Sequence, residues 1–201
     1  MWQIRQFEEA DIDKLYAISL TTGHLGNDAS HLYADPNMMG HLYAGGYATL
    51  EPTLVLLLTD EDGVAGFALG AVDTFDWEAR LEQDWWPALR KRYADPSDTP
   101  KSDWTADERR AHMIHHPTTT PSDVIRTFPA HLHMNFLTRA QGQGQGRRLL
   151  NAWVELAAGR GVRAIHVGAN RNNHRAMSFW QRSEFVPVFD LGRTVWMGRQ
   201  F

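Results

Sequence analysis

His131-Leu132-His133-Met134-Asn135-Phe136-Leu137-Thr138-Arg139-Ala140-Gln141-Gly142-Gln143-Gly144-Gln145-Gly146-Arg147-Arg148 joins three patterns in one short stretch. Residues 131–137 alternate, with Leu132, Met134 and Phe136 on one face and His131, His133 and Asn135 on the other, as in a strand. Residues 141–146 alternate glutamine with glycine, which predicts a loop. Residues 147–158 place Leu149, Leu150, Trp153, Val154 and Ala157 on one helical stripe, and Gly159 and Gly161 end it. A strand, a glycine loop and a helix in that order make an anion trap. The first N–H groups of the helix lack intrahelical partners, the helix dipole adds positive potential, and glycine lets an oxyanion approach the backbone.

Charge supports an anionic ligand at this place. Between Arg139 and Arg182 stand eight Arg and one acid, Glu155; that segment is +7, leaving −11 for the remainder of a chain whose net charge is −4. The acidic total argues against a nucleic-acid binder, and the basic segment points to a local anion. There is no Cys, which excludes a disulfide framework, a thiolate zinc site and a cysteine nucleophile. No apolar run has the ~20 residues of a membrane span. The first ten residues carry acids rather than a basic and apolar leader, so a cytoplasmic protein without membrane partners is expected.

Outward from the loop, residues 164–167 read as a strand, 173–182 as a helix, and 185–189 and 194–197 as two closing strands. Towards the N-terminus, residues 2–7 read as a strand and 8–20 as a helix. Residues 21–30 read as a loop, and 37–44 as a short helix opened by Pro36 and ended by Gly45-Gly46. Residues 53–59 and 64–72 form a hairpin about the turn 60–63. Residues 75–93 look helical despite Pro87, with Trp77, Leu81, Trp85 and Leu89 on one face. A loop over 94–102 and short helices over 105–114 and 122–128 follow. The length and pattern suit one α/β domain of mixed α+β type over residues 1–201, with 74–128 as a helical insertion.

Two nucleotide motifs fail against the loop. A Walker loop needs Gly-Lys-Ser/Thr at its end, and no Lys is present. A dinucleotide fingerprint from Gly142 needs a third Gly where Arg147 stands. Gln141-x-x-Gly144-x-Gly146 resembles instead the pyrophosphate loop of the GNAT (Gcn5-related) N-acetyltransferases, Arg/Gln-x-x-Gly-x-Gly/Ala. After one helix and one strand, Asn173-x-x-Ala176-x-x-Phe179-Trp180 resembles that family's Asn-x-x-Ala-x-x-Phe-Tyr segment. Asp35-Pro36, Gly40-His41-Leu42-Tyr43-Ala44, Leu50-Glu51-Pro52, Asp73-Thr74, Trp86-Pro87, Tyr93 and Pro129-Ala130-His131-Leu132-His133 resemble the bacterial branch related to the acetyltransferase-like domain of human O-GlcNAcase. That domain is regarded as a pseudo-acetyltransferase.

The resemblance implies a mixed central sheet, flanked by helices, with two splayed parallel strands holding acetyl-CoA in a core over 131–189. The backbone of Phe136, Leu137 and Thr138 would pair with the pantetheine amides. The amides of Gln141, Gly142, Gln143, Gly144, Gln145 and Gly146 would take the pyrophosphate. Arg147 and Arg148, or Arg171 and Arg175, would meet nucleotide phosphates, with Asn173 and Phe179 along the pantetheine arm. An acceptor amine, on a small molecule or a protein lysine, would attack the thioester directly, and a dimer through the C-terminal strands would fit the family.

Two positions depart from the family. The expected tyrosine is Trp180, whose indole donates a hydrogen bond but is no useful acid. An aspartate expected after His131-Leu132-His133 is Asn135, which is no base. The catalytic candidates are therefore His133, Asn135 and Trp180, with His131 a lesser base and an acetyl-CoA-binding pseudoenzyme the alternative. Asp28, Asp35 and Asp73 are candidates for an acceptor pocket. His112, His115 and His116 have helical spacing, but Pro117 follows and no paired acid is apparent, so no metal site is expected.

Overall fold

Seven strands form one sheet in the order β1-β2-β3-β4-β5-β7-β6 in a computed structural model that describes residues 1–201. They are β1 (Gln3–Gln6), β2 (Leu56–Asp60), β3 (Gly63–Ala71), β4 (Ala130–Phe136), β5 (Ala164–Asn170), β6 (Val186–Leu191) and β7 (Thr194–Gln200). All neighbours pair antiparallel except β4 and β5. The helices are α1 (Ile12–Thr21), α2 (Met38–Gly40), α3 (Gly46–Leu50), α4 (Thr74–Arg80), α5 (Trp86–Arg92), α6 (Ala106–His115), α7 (Ser122–Thr127), α8 (Gln145–Ala158) and α9 (His174–Arg182). The fold is the expected mixed α+β sandwich of helices about a mixed sheet.

The continuous apolar run of β2 follows from burial on both faces. Leu56 and Leu58 join a core with Leu149, Leu150 and Trp153 of α8 and Trp180 of α9. Leu57 joins the opposite core with Leu15 and Ile18 of α1, Tyr47 of α3 and Trp77 of α4. A third, smaller cluster of Met38, Trp86, Leu89 and Ile114 packs α5 and α6 onto α2.

Three boundaries differ from the sequence reading. Gly45 and Gly46 do not end a helix. A π-turn over His41–Gly45 carries the chain from α2 directly into α3. A Cβ on Gly45 would lie 2.7 Å from Trp85 Cζ2, and one on Gly46 2.8 Å from Leu81 Cδ2, so these glycines serve close packing. The strand expected from residue 53 begins at Leu56, because Pro52 opens a 3₁₀ turn over Pro52–Leu54. A second π-turn, Leu81–Trp85, joins α4 to α5. Its extra residue shifts the helical phase, so Trp86, beside Pro87, is buried, while Trp85 is half-buried and donates Nε1–H to the His41 carbonyl at 2.9 Å.

The parallel pair positions the site. β4 and β5 pair only at Ala130↔Ile165 and His131↔His166. Beyond that point β4 stays with β3 as far as Phe136↔Gly66, while β5 stays with β7 as far as Asn170↔Thr194. The two strands therefore splay, and a cleft opens between them.

Candidate functional site

The glycine loop runs from a 3₁₀ turn, Thr138–Ala140, into α8, whose helical residues begin at Gln145 rather than Arg147. Gly142 and Gly144 have φ of +75° and +74°, and a Cβ on either would meet open space. Glutamine side chains brace the loop through its carbonyls. Gln141 Nε2 donates to Phe136 O at 2.9 Å, Gln143 Nε2 to Arg139 O at 3.0 Å, and Gln145 Nε2 to Gln143 O at 3.2 Å. The N–H groups of Gly142, Gln143, Gly144, Gln145, Gly146 and Arg147 have no acceptor in the protein; Arg148 N–H is the next to bond, to Gly144 O at 3.2 Å. Gly146 brings α8 against α9, where a Cβ would lie 3.0 Å from Phe179 Cε2.

The arginines divide. Arg139 is held by Asp60 at 2.8 Å, and Arg171 by Asp190 and the Gly192 carbonyl. Arg147 and Arg148, in the first turn of α8, are exposed and bond only to the Arg182 carbonyl and to Gln145 Oε1. Arg175 bonds to Gln141 Oε1.

Along the cleft the sequence reading needs one correction. Leu137 donates its N–H to Ala65 O at 2.8 Å, and its carbonyl accepts from Ala140 N–H at 3.0 Å, so its backbone faces β3 and is spent. Strand alternation turns the N–H groups of Met134 and Phe136 the other way, towards the splay. The N–H of Thr138 has no acceptor. Asn173 caps α9, accepting from Ala176 N–H at 3.0 Å, and its Nδ2 has no hydrogen-bond partner.

A cavity of about 960 Å³ lies at the splay, lined by Thr22, Tyr47, Trp77, His131, His133 and Asn135 on one side and by His166, Gly168, Trp196 and Asn173 on the other. His133 is half-buried, 5.7 Å from the Tyr47 ring and 5.8 Å from that of His131, and neither of its nitrogens has a protein partner. Burial first, then the nearby His166, pulls its pKa down to about 4. His166 donates Nδ1–H to Phe128 O at 2.6 Å; burial pulls its pKa down to about 4. Its Nε2 is left as the acceptor. His131 is structural: Tyr47 Oη lies 2.7 Å from Nε2 and Thr74 Oγ1 2.7 Å from Nδ1.

Two catalytic expectations change. Trp180 is 7% exposed, stacked edge-on against Phe179 and Phe185 in the core under α8, and contributes nothing to the cavity wall. It supplies neither an acid nor a hydrogen bond at the splay. Asn135 does face the cavity, but its Nδ2 donates to Thr22 Oγ1 at 2.6 Å, tying β4 to the end of α1. The three aspartates are local braces: Asp28 accepts from Ser30, Asp35 from Tyr93 and Asn37, and Asp73 caps α4. His112 and His116 converge and His115 turns away to Tyr93 O; the acid that seemed absent is Asp95, 2.7 Å from His116.

Sequence reasoning missed Tyr47, Thr74 and His166. His166 was legible, because His166, Gly168 and Asn170 alternate with Ile165, Val167 and Ala169 as β5 requires. Tyr47 follows Gly45-Gly46, a pair that marks a helix end as readily as the close packing it serves here.

A family model described as the acetyltransferase (GNAT) family matches residues 78–185, and the chain belongs to that family. Its whole length is similar to the crystal structure of SsHAT, at 30% identity, TM-score 0.92, with 99% of this chain and 98% of that one covered. Protein O-GlcNAcase of Rattus norvegicus is 21% identical over 149 residues, which are 74% of this chain and 16% of the longer protein. The structure of yncA from Salmonella typhimurium, solved with its cofactor acetyl-CoA, shares the fold at 16% identity and TM-score 0.55, over 99% of this chain and 93% of that one. No helix is long and apolar enough to cross a membrane.

Proposed function

We propose that the protein binds acetyl-CoA in the β4–β5 cleft and transfers its acetyl group to an amine. The observation that carries this reading is the run of six unaccepted N–H groups, Gly142 to Arg147, at the mouth of α8 beside exposed, acid-free arginines. A diphosphate would accept from those groups, with charge assistance from Arg147 and Arg148. The pantetheine arm would follow the outward amides of Met134, Phe136 and Thr138, with Asn173 across the cleft. The thioester would then lie at the splay, in reach of the 960 Å³ cavity that receives the acceptor.

The amine must arrive neutral or lose a proton to attack. His133 is the base this arrangement favours, since its nitrogens are free and face the cavity; burial keeps it unprotonated at neutral pH and also makes it a weak base. A strand N–H at the splay would hold the developing oxyanion. The thiolate would leave without an acid from α9, which a thiol pKa of about 8.5 tolerates at some loss of rate. A second reading, acetyl-CoA binding without turnover, is favoured by Trp180 lying in the core and Asn135 being bound to Thr22.

Calorimetric titration with acetyl-CoA tests the proposal, with thiol release on an amine panel separating the two readings. The wild-type protein is expected to bind one equivalent. Gly144→Asp, which sets a carboxylate and a left-handed non-glycine residue against the diphosphate, is expected to lose binding while keeping its circular dichroism. Equal affinity in both proteins would place the ligand elsewhere.

A further inference from the structure

We propose that Asp95, His112 and His116 form a binding site for one divalent transition metal of the Zn²⁺ type, in the helical insertion and separate from the acetyl-CoA cleft. His112 and His116 stand four residues apart at the C-terminal end of α6, and therefore on one face of it. Asp95 comes from the preceding loop, where it caps the 3₁₀ turn Pro96–Asp98. Asp95 Oδ2 lies 2.7 Å from His116 Nε2, and Asp95 Oδ1 lies 3.8 Å from His112 Nδ1. One nitrogen of each histidine and one carboxylate oxygen all fall within 4.8 Å of one another.

An ordinary ion pair accounts for only part of this. Asp95 Oδ1 accepts from Ser97 N–H at 3.1 Å and from Ser97 Oγ–H at 2.6 Å, and Oδ2 accepts from His116. The Ser97 proton is then spent, so Ser97 Oγ can only accept, and His112 Nδ1 is left with two long contacts, 3.4 Å to that hydroxyl and 3.8 Å to Asp95 Oδ1. A metal would replace these long contacts with short ones. Donors at about 2.0–2.2 Å from a tetrahedral Zn²⁺ sit roughly 3.3–3.6 Å apart, so the three atoms need only side-chain rotations to close on it. Two imidazoles and a carboxylate suit Zn²⁺ and its neighbours rather than Ca²⁺ or Mg²⁺.

The supporting contacts fit as well. Ser97 fixes the carboxylate orientation, and the Trp104 ring packs 4.8 Å from the His112 ring. The helix end adds a favourable potential for a cation. Bound metal would staple the loop 94–104 to α6, the helix that sends Arg110 and Met113 to the cavity wall. The consequence would be a firmer acceptor side of the cavity.

The test uses tag-free, full-length protein dialysed against EDTA and titrated with Zn²⁺ by calorimetry. Co²⁺ is a second probe, read by the absorption bands of a four-coordinate ion and their displacement by Zn²⁺. One equivalent per chain is expected, with affinity reduced by roughly 10–100-fold or more in His116→Ala and in Asp95→Asn. His116 is exposed, so its removal leaves the fold intact, and circular dichroism verifies that. Absence of Zn²⁺ binding to the wild-type chain would overturn the proposal. So would binding that both variants retain, since the metal would then sit on other histidines.

Discussion

Tyr47 and His131 lie 84 residues apart and meet through a hydrogen bond of 2.7 Å. Thr74 Oγ1 lies 2.7 Å from the Pro129 carbonyl, to which it donates its one proton. It must then accept from His131 Nδ1–H, also at 2.7 Å, so Nε2 carries the lone pair and Tyr47 Oη–H donates to it. Burial raises the Tyr47 pKa and holds that of His131 far below its ordinary value, so both stay neutral. Tyr47→Phe is expected to leave Nε2 buried without a donor and to destabilise the protein by about 1–3 kcal/mol. Thr74→Val should cost a similar amount by orphaning Nδ1–H. The double variant should cost less than the sum, because both act on one ring. Urea denaturation of the four proteins measures this cycle, and strict additivity would contradict the linked chain.

Acid sensitivity should begin well above the carboxylate range. Burial lowers the pKa of His41, His131, His133 and His166, the last two to about 4. The unfolded chain binds these protons near pH 6.5 and the folded chain does not. The stability due to the neutral histidines is therefore complete above about pH 6.5 and declines as pH falls towards about 4. Carboxylates such as Asp60 and Glu51, kept low by arginine partners and hydrogen bonds, begin to add their losses at about pH 5, where the unfolded carboxylates start to take up protons. The urea midpoint is expected to fall between pH 6.5 and 4.5, and less steeply in His166→Gln. A flat midpoint across that interval would show these rings to be solvated.

Gly45→Ala sets two known effects against each other. Alanine in a helix gains about 1 kcal/mol over glycine. The new Cβ, however, would lie 2.7 Å from Trp85 Cζ2, with the Tyr16 hydroxyl also in contact, and overpacking of that kind costs about 1–3 kcal/mol. Both neighbours are rigid, and Trp85 is fixed by its bond to His41 O. A net loss is expected, seen as a lower thermal midpoint. A stabilised variant would show that the π-turn yields.

Much of this arrangement was legible in the sequence, and what was not has identifiable causes. The strands, the glycine loop and α8 were readable because their patterns are local: alternation in β4, glycines before α8 and a helical stripe along it. Gly45-Gly46 misled because glycine marks both helix ends and close helix contacts, and only the partner, Trp85, distinguishes them. Trp180 follows an aromatic whose ring packs against Gly146, and nothing local says which of the two faces the core. Asp95 could not be paired with His116 from spacing, since the intervening loop folds back through a 3₁₀ turn. Leu137 fell on the wrong side of the cleft because strand parity fixes which amides are free only once the β3 register is known.

The pH–rate profile discriminates the role of His133 most sharply. A base with a pKa near 4 is unprotonated throughout pH 5–8, so its titration should leave no inflection there. The rate constant kcat/KM should instead rise with pH as the acceptor amine loses its proton, and flatten near the amine's own pKa. His133→Gln keeps the volume and removes the base; kcat is expected to fall by about 10²-fold, the low end for a general base because a pKa near 4 makes a weak one, with acetyl-CoA affinity unchanged, because the ring touches the cavity and not the glycine loop. Asn135→Ala provides the contrast. It breaks the bond to Thr22 and should weaken stability more than it changes the shape of the profile. An inflection near pH 6.5 that vanishes in His133→Gln would keep the histidine as base but place it in water. A variant as fast as wild type would leave proton removal to solvent or to His166, whose Nε2 lies across the same splay.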